Sequence, residues 1–291
     1  MKVARPNAGF VLLMVLVVLV VAGTVLAAAA RRCAQNATRA AVAHRDLQLR
    51  WGTLSCRVTV MPKIEQILDD SRTRQEPVVL EARRTVVLGG LPFHLVVGDE
   101  MAKANANTIA DFLGDEALRQ AMRKLQAGGR GFLEIRLRPT DLSREVPDTS
   151  VRFASLDQIF VMPHPSEWIG LASADGSIAR RRVTCWGDGR INLLRAELPT
   201  LREVLKGDLT ESQLARLDAM RREESPPPLS QLLAQLQLTG EQTQMVGALV
   251  ADQSACHSLW VCVEGPTRRW YRLYVREDRG PDDATEWAFA W

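Results

Sequence analysis

No charged side chain lies between Arg5 and Arg31, and the stretch Gly9 to Arg32 reads GFVLLMVLVVLVVAGTVLAAAARR. About 20 apolar residues are enough to cross the hydrocarbon core of a bilayer, so the run is long enough to span one. A cleaved secretory signal has a shorter apolar region, roughly 7–15 residues, followed by a small-x-small cleavage site. Ala27–Ala30 can imitate such a site, so a signal segment and a retained helix both stay open on composition alone.

The run passes without a Pro or Gly stop into CAQNATRAAVAHRDLQLRW. Between Trp51 and Leu68 two patterns compete. LSCRVTV alternates like a strand, whereas Trp51, Leu54, Val58, Met61, Ile64 and Leu68 recur at spacings of three and four. The longer window favours a helix continued to about Ser71, kinked near Pro62. RTVVLGGLPFHLVV then places two β-branched runs on either side of Gly-Gly, which predicts a hairpin. DEMAKANANT follows, and in isolation it reads as a polar turn capping the next helix, since Asn and Thr are good caps.

TIADFLGDEALRQAMRKLQ is expected to be a helix ending at Gly128–Gly129, GFLEIRLRP a short strand, and SLDQIFVM a short helix capped by Ser155. VTCWGDGRIN repeats the earlier order of an apolar run, Gly-Asp, a base (Lys103 or Arg190), then Asn two residues on (Asn105 or Asn192). LTESQLARLDAMRREESPPPLSQLLAQLQLTGEQTQMVGALV reads as three helices, with Thr210 and Thr239 as caps and Pro226–Pro228 as the break. SLWVCVEG, RRWYRLYVRE and TEWAFAW read as three antiparallel strands. Trp260, Trp270, Tyr271 and Tyr274 are expected in their core. The fold class expected is therefore α+β: a long helix packed on an antiparallel sheet, with a helical insertion.

Several of these features resemble one family in order along the chain. A short basic leader, MKVARPNAG, then Phe10 resembles the processing site of type IV pilins and type II secretion pseudopilins. The resemblance implies that a prepilin peptidase cuts between Gly9 and Phe10 and that the new amino terminus is methylated. Most such proteins carry Glu at the fifth mature position, thought to pair with the amino terminus of a neighbouring subunit; here it is Met14. Lack of that Glu is characteristic of K-type minor pseudopilins. Members of that type also carry DExxKxNxN after a strand, matched by Asp99, Glu100, Lys103, Asn105 and Asn107, and a GDGxINxN segment. The latter is matched by Gly187, Asp188 and Asn192, with Leu194 in place of the last Asn.

The resemblance implies a leader at 1–9, a membrane and pilin helix at 10–72, the first part of the sheet at 75–100, an inserted helical domain at 101–254 and closing strands at 255–291. It implies a bacterial inner-membrane protein, single-pass, with its head in the periplasm. The implied role is mechanical: a place at the pseudopilus tip and a part in starting assembly and aiding export. Partners implied are other minor pseudopilins, the inner-membrane assembly platform, prepilin peptidase and membrane lipid. One count opposes this orientation. Lys2 and Arg5 flank one end of the run and Arg31, Arg32, Arg39 and Arg45 the other, which by the positive-inside rule would put the head in the cytoplasm. The family resemblance implies the opposite orientation.

Other chemistry has little support. A formal charge of +3 over 291 residues does not point to nucleic acid, and the basic runs have acidic neighbours. The helix-hairpin-helix-like region after Leu209 lacks the Gly-rich turn that approaches DNA backbone, so no nucleic-acid partner is expected. No P-loop, GxSxG, HExxH or Rossmann fingerprint occurs, and no enzyme activity is expected. No cofactor is certain. Some K-type inserts hold calcium, and the acidic and amide oxygens of the two Gly-Asp segments suit that ion, but neither has EF-hand spacing and no ligand is assigned. Cys256 and His257, as neighbours in a strand, would point to opposite faces. Cys256 and Cys262, six residues apart, are about 20 Å apart if extended, too far for a disulfide. The reading that competes with a pseudopilin is a bitopic anchored protein whose outer domain binds a partner or DNA; a secreted enzyme comes third.

Overall fold

The structure, a computed structural model, describes residues 8–73, 78–127, 132–139, 152–170, 177–223, 225–264, 269–280 and 283–290. It divides into two compact units, Met1–Gly52 and Thr53–Trp291. Helix α1 runs from Ala8 to Val60. In an apolar solvent every backbone N–H and C=O needs a partner within the segment, which a helix supplies. Thr24, the polar side chain inside the run, follows the same rule and donates its hydroxyl to the Val21 carbonyl at 2.8 Å.

The region between Trp51 and Met61 is helix, not strand. Pro62 lacks an amide hydrogen and converts the helix into a 3-10 turn, Met61–Lys63, before α2, Ile64–Asp70. The apolar stripe expected here is split. Met61, Ile64 and Leu68 are buried, but Leu54 and Val58 face out, and so does Trp51 in the first unit. Thr53 and Cys56 take the inward positions before the turn. A 3-10 turn advances 120° per residue rather than 100°, so three residues rotate the face by about 60°. Apolar spacing counted straight through Pro62 therefore joins two different faces.

Five antiparallel strands form the sheet, and they lie across it in the order in which they occur in the chain. The first two are β1, Glu81–Leu88, and β2, Leu91–Asp99. Gly89 and Gly90 join them at φ 58° and 80°, the left-handed pair that a two-residue hairpin of this twist requires. After the insertion come β7, Cys256–Glu264, β8, Arg269–Gly280, and β9, Asp283–Ala290. One sheet face carries Val96, Trp260, Cys262, Tyr271, Leu273 and Val275 into a core shared with the insertion. Phe93, Leu95, Val97, Leu259 and Val261 are buried on the other face, where α2 packs on β2.

Residues 100–255 leave β2 and return to β7, its neighbour in the sheet. Two-residue strands β3, Ala104–Asn105, and β4, Val183–Thr184, pair in parallel. So do β5, Ile191–Asn192, and β6, Val250–Ala251. The helices of the insertion are α3 (Ala106–Gln126), α4 (Pro165–Ile169), α5 (Ile178–Arg182), α6 (Leu198–Val204), α7 (Glu211–Arg221), α8 (Leu229–Gln235) and α9 (Gly240–Leu249). The last three pack Leu214, Leu217, Leu232 and Val246 into a second core with Leu193 and Leu201. Thr210 and Thr239 each close a capping box, with Gln213 and Gln242 returning to the cap amide.

Three local expectations need correcting. Helix α3 is not continuous: Gly114, at φ 80° and ψ 175°, divides it. Gly128–Gly129 lie outside the described residues. Among the described residues of GFLEIRLRP no strand forms, and the chain makes one isolated bridge, Ile135 to Phe160, with backbone bonds from Arg136 to Ile159 and from Arg138 to Gln158, where the opposing chain is a 3-10 turn, Leu156–Gln158. Ser155 precedes that turn, but its hydroxyl bonds the Asp157 carboxylate instead of capping the backbone.

Candidate functional site

The amino-terminal run forms a helix long and apolar enough to cross a membrane, and none of that window is buried. Gly9 and Phe10 fall in the first turn of α1 and Met14 one turn later; Phe10 and Met14 are exposed. The leader residues 1–7 lie outside the described residues.

The other candidate residues converge where the insertion leaves the sheet. Asp99 ends β2, and its Oδ1 accepts the Ala102 amide at 3.1 Å and the Ser254 hydroxyl at 2.7 Å. Its Oδ2 accepts the Asn192 side-chain amide at 2.8 Å. Burial pushes the Asp99 carboxyl above its ordinary value, and nearby His257 and the Ser254 hydrogen bond offset this only in part. Glu100, next along the chain, behaves oppositely. Burial would raise it, but the Lys103 ammonium at 2.6 Å and hydroxyls from Ser258 and Thr184 outweigh that and hold it below the ordinary range. A buried ion pair survives only when its remaining oxygens are satisfied, and these hydroxyls do that.

Asn105 and Asn107 hold backbone. The Asn105 carbonyl oxygen caps α3, accepting from the Asn107 and Thr108 amides, while its amide nitrogen donates to the Trp186 carbonyl at 3.0 Å. The capping role is the one the Asn and Thr residues predict. Asn107 donates to Phe153 and Cys185 carbonyls, both at 2.9 Å, and accepts the Phe153 amide at 2.7 Å. On the facing loop Gly187 and Gly189 take φ 91° and 88°. Asp188 is exposed and folds onto Arg190, whose Nε donates to it at 2.7 Å. Asn192 also accepts the amide of Leu194 at 3.0 Å. The two Gly-Asp segments therefore interlock through Asp99–Asn192 and Asn105–Trp186. They form a buried joint whose oxygens already accept protein N–H and O–H groups, with an ammonium among them. This is a poor cage for calcium. Among the described residues, no three His, Cys, Asp or Glu side chains stand together as a metal would need.

Thr184, Ser254 and Ser258 belong to the joint but carried no sequence signal, being single hydroxyl residues in apolar strands or a turn. A second charged cluster also escaped the sequence. His257 Nε2 lies 2.7 Å from Glu65, and Arg195 reaches Asp69 at 2.7 Å and Glu65 at 3.2 Å. Burial would raise the Glu65 carboxyl, but His257 and Arg195 bring it below its ordinary value. These groups line a cleft of about 720 Å³. Beside the joint a cleft of about 520 Å³ opens between the start of α3 and the Gly187–Arg190 loop.

Cys256 and His257 do point apart: the thiol is buried while the imidazole reaches Glu65. Burial pushes the Cys185 and Cys256 thiols well up and Cys262 up to about 12, so none is a thiolate at neutral pH. No disulfide joins the described cysteines.

No family model and no curated protein matches the sequence. Among solved structures, the chain resembles one in the crystal structure of the GspK-GspI-GspJ complex from the enterotoxigenic Escherichia coli type 2 secretion system. The TM-score is 0.53 at 13% identity, covering 87% of this chain and 99% of that one. At that identity the likeness is one of fold: a long amino-terminal helix, an antiparallel sheet and additional helices, the pseudopilin-like arrangement.

Proposed function

We propose that this chain is a minor pseudopilin of type II secretion, of the K type, placed at the tip of a periplasmic pseudopilus. The observation that carries the reading is the likeness over 99% of a chain from a complex of the type 2 secretion system. The order of the sequence motifs supports it independently. Phe10 begins the apolar face of α1, where a peptidase cut after Gly9 would leave it as the mature terminus. The head would then lie in the periplasm and the apolar run in the inner membrane or filament core.

The tip position rests on the resemblance to K-type minor pseudopilins, and Met14 supports it. A carboxylate in an apolar setting is costly unless paired, so a subunit carrying one needs a partner already in place. Met14 has no such requirement, which fits a first subunit. Leu54 and Val58, 39% and 65% exposed on the helix, give neighbouring pseudopilin helices an apolar surface to cover. Other minor pseudopilins, as in the complex of the structural neighbour, are the partners this reading proposes.

Mass spectrometry of the amino terminus, in cells with and without prepilin peptidase, tests the class. A methylated chain starting at Phe10 only when the peptidase is present is the expected result. An intact Met1 would return the chain to a simple membrane anchor, and a start beyond Ala30 to a secreted protein.

A further inference from the structure

Helix α1 continues unbroken past the apolar run, and the charge on its next turns is of one sign. At about 1.5 Å per residue the segment from Phe10 to Ala30 rises about 30 Å, the thickness of a hydrocarbon core. With that segment across a bilayer, Arg31 and Arg32 stand in the headgroup layer and Arg39 about 12 Å beyond Arg31. All three are exposed. Arg32 and Arg39 are close to two full turns apart, so they share one side of the helix to within about 20°, and Arg31 is about a quarter-turn round from them. Ala37, Ala40 and Ala41 take the other side.

Nothing in the chain nearby neutralises these bases. No Asp or Glu occurs before Asp46. Asp46 lies about 20 Å further along the axis than Arg32, well beyond the screening length of about 8 Å at physiological salt. Among the described residues Arg31, Arg32 and Arg39 form no ion pair. Three guanidinium groups on one side of a helix, the first two directly at the end of an apolar run, therefore face whatever the membrane surface offers.

We infer that Arg31 and Arg32, with Arg39 beyond them, bind the phosphates of anionic phospholipid headgroups in the leaflet from which α1 emerges. A guanidinium meets a phosphate with two parallel N–H donors, which an ammonium cannot match. Its long apolar stem can lie along the helix while the charged end stays in the polar layer. A zwitterionic headgroup carries its own cation, which competes for the phosphate; a headgroup of net negative charge has none. Basic residues next to a membrane span are drawn to such a surface, each by about fivefold in contact. The inference rests on the reading of α1 as a membrane helix. It is independent of the side on which the head lies and of any filament.

Cys33 offers a local reporter, being exposed beside Arg32 while Cys56, Cys185, Cys256 and Cys262 are buried. The full chain, with Lys2→Gln/Arg5→Gln to remove the bases at the other end of the run, is labelled there with a maleimide fluorophore and placed in phosphatidylcholine vesicles. Rising fractions of phosphatidylglycerol or phosphatidylcholine that carry a nitroxide near the headgroup then quench it. Half-quenching should need about tenfold less of the phosphatidylglycerol. Arg31→Gln/Arg32→Gln should bring the two lipids within about twofold of each other, and Arg39→Gln should have a smaller effect. Arg31→Lys/Arg32→Lys should keep part of the preference. Arg123→Gln/Arg216→Gln removes the same charge from exposed positions of the head and should change nothing. Millimolar inorganic phosphate should reduce the preference no more than sodium chloride of equal ionic strength; a greater reduction would make free phosphate the ligand and overturn the inference. Equal quenching by the two lipids, or a preference undiminished in Arg31→Gln/Arg32→Gln, overturns it while leaving the membrane helix standing. Quenching by neither lipid overturns both. Gln is a good helix former and the substituted positions are exposed, so the variants keep the helix.

Discussion

Asn192 donates its side-chain amide to Asp99 at 2.8 Å, with both residues buried and 93 positions apart in the chain. The contact ties β5, inside the insertion, to the strand end from which the insertion departs. An Asn192→Leu substitution keeps the branched shape and removes both the donor to Asp99 and the acceptor of the Leu194 amide, leaving a buried carboxylate oxygen and a backbone N–H without these partners. The expected loss is about 1–3 kcal/mol of unfolding free energy. Urea unfolding followed by tryptophan fluorescence would measure it. A loss within error of zero would mean that the joint is not structural.

The Glu100–Lys103 pair predicts a non-additive result. Lys103→Met alone leaves an uncompensated buried carboxylate and should cost about 3–5 kcal/mol, whereas Glu100→Gln/Lys103→Met should recover part of that. The pH dependence has a definite sign. The folded-state carboxyl of Glu100 is held below its ordinary value, so the stability it contributes is present above the unfolded value, near 4.3, and lost as pH falls through the lowered one. Asp99 is raised and acts oppositely, favouring the folded state at low pH and losing that contribution as pH rises through its folded value. Glu100→Gln should therefore flatten the acid limb of the stability curve, and Asp99→Asn should steepen it. Melting temperatures across the acid range would show either.

How far the sequence revealed these features depended on how local each signal was. The Gly89–Gly90 hairpin and the Thr210 and Thr239 caps are fixed by residues within a turn of one another, and periodicity finds them. The two Gly-Asp segments were visible as a repeated order of residue types, but not as one interlocked joint, because pairing between Asp99 and Asn192 leaves no periodic trace. His257 with Glu65 was hidden for the same reason, being 192 positions apart. The stripe through Val58 and Met61 failed differently: spacing was right, but the 3-10 turn at Pro62 changed the angle per residue.

Gly189 tests the close packing of the joint. Its φ is 88°, and a Cβ built there would stand 2.3 Å from Thr108 Oγ1. Gly189→Ala therefore meets two penalties, a left-handed backbone of about 1–2 kcal/mol and a collision. Adding Thr108→Ala removes the collision only. The double variant should recover part of the loss but stay below the parent by about the backbone term, as read by thermal melts. Full recovery would show that the backbone relaxes out of the left-handed region.

Met14→Glu separates anchoring from assembly. The position is one turn into α1 from Phe10, near the end of the apolar run, so a carboxylate there is far less costly than the roughly 2.5–3.5 kcal/mol of a charge at mid-bilayer. Insertion should persist, read as the fraction of chain resisting carbonate extraction. The new carboxylate would nevertheless need a cationic partner, the role a neighbouring subunit's amino terminus fills for subunits that carry Glu at this position. A subunit meant to go first has no neighbour to supply it. The expected outcome is therefore normal membrane retention with fewer pseudopili per cell, counted by immunofluorescence of the major subunit. Equal numbers of pseudopili would remove Met14 from the argument for a tip position, and loss of membrane retention would show that the run tolerates no charge even at its end.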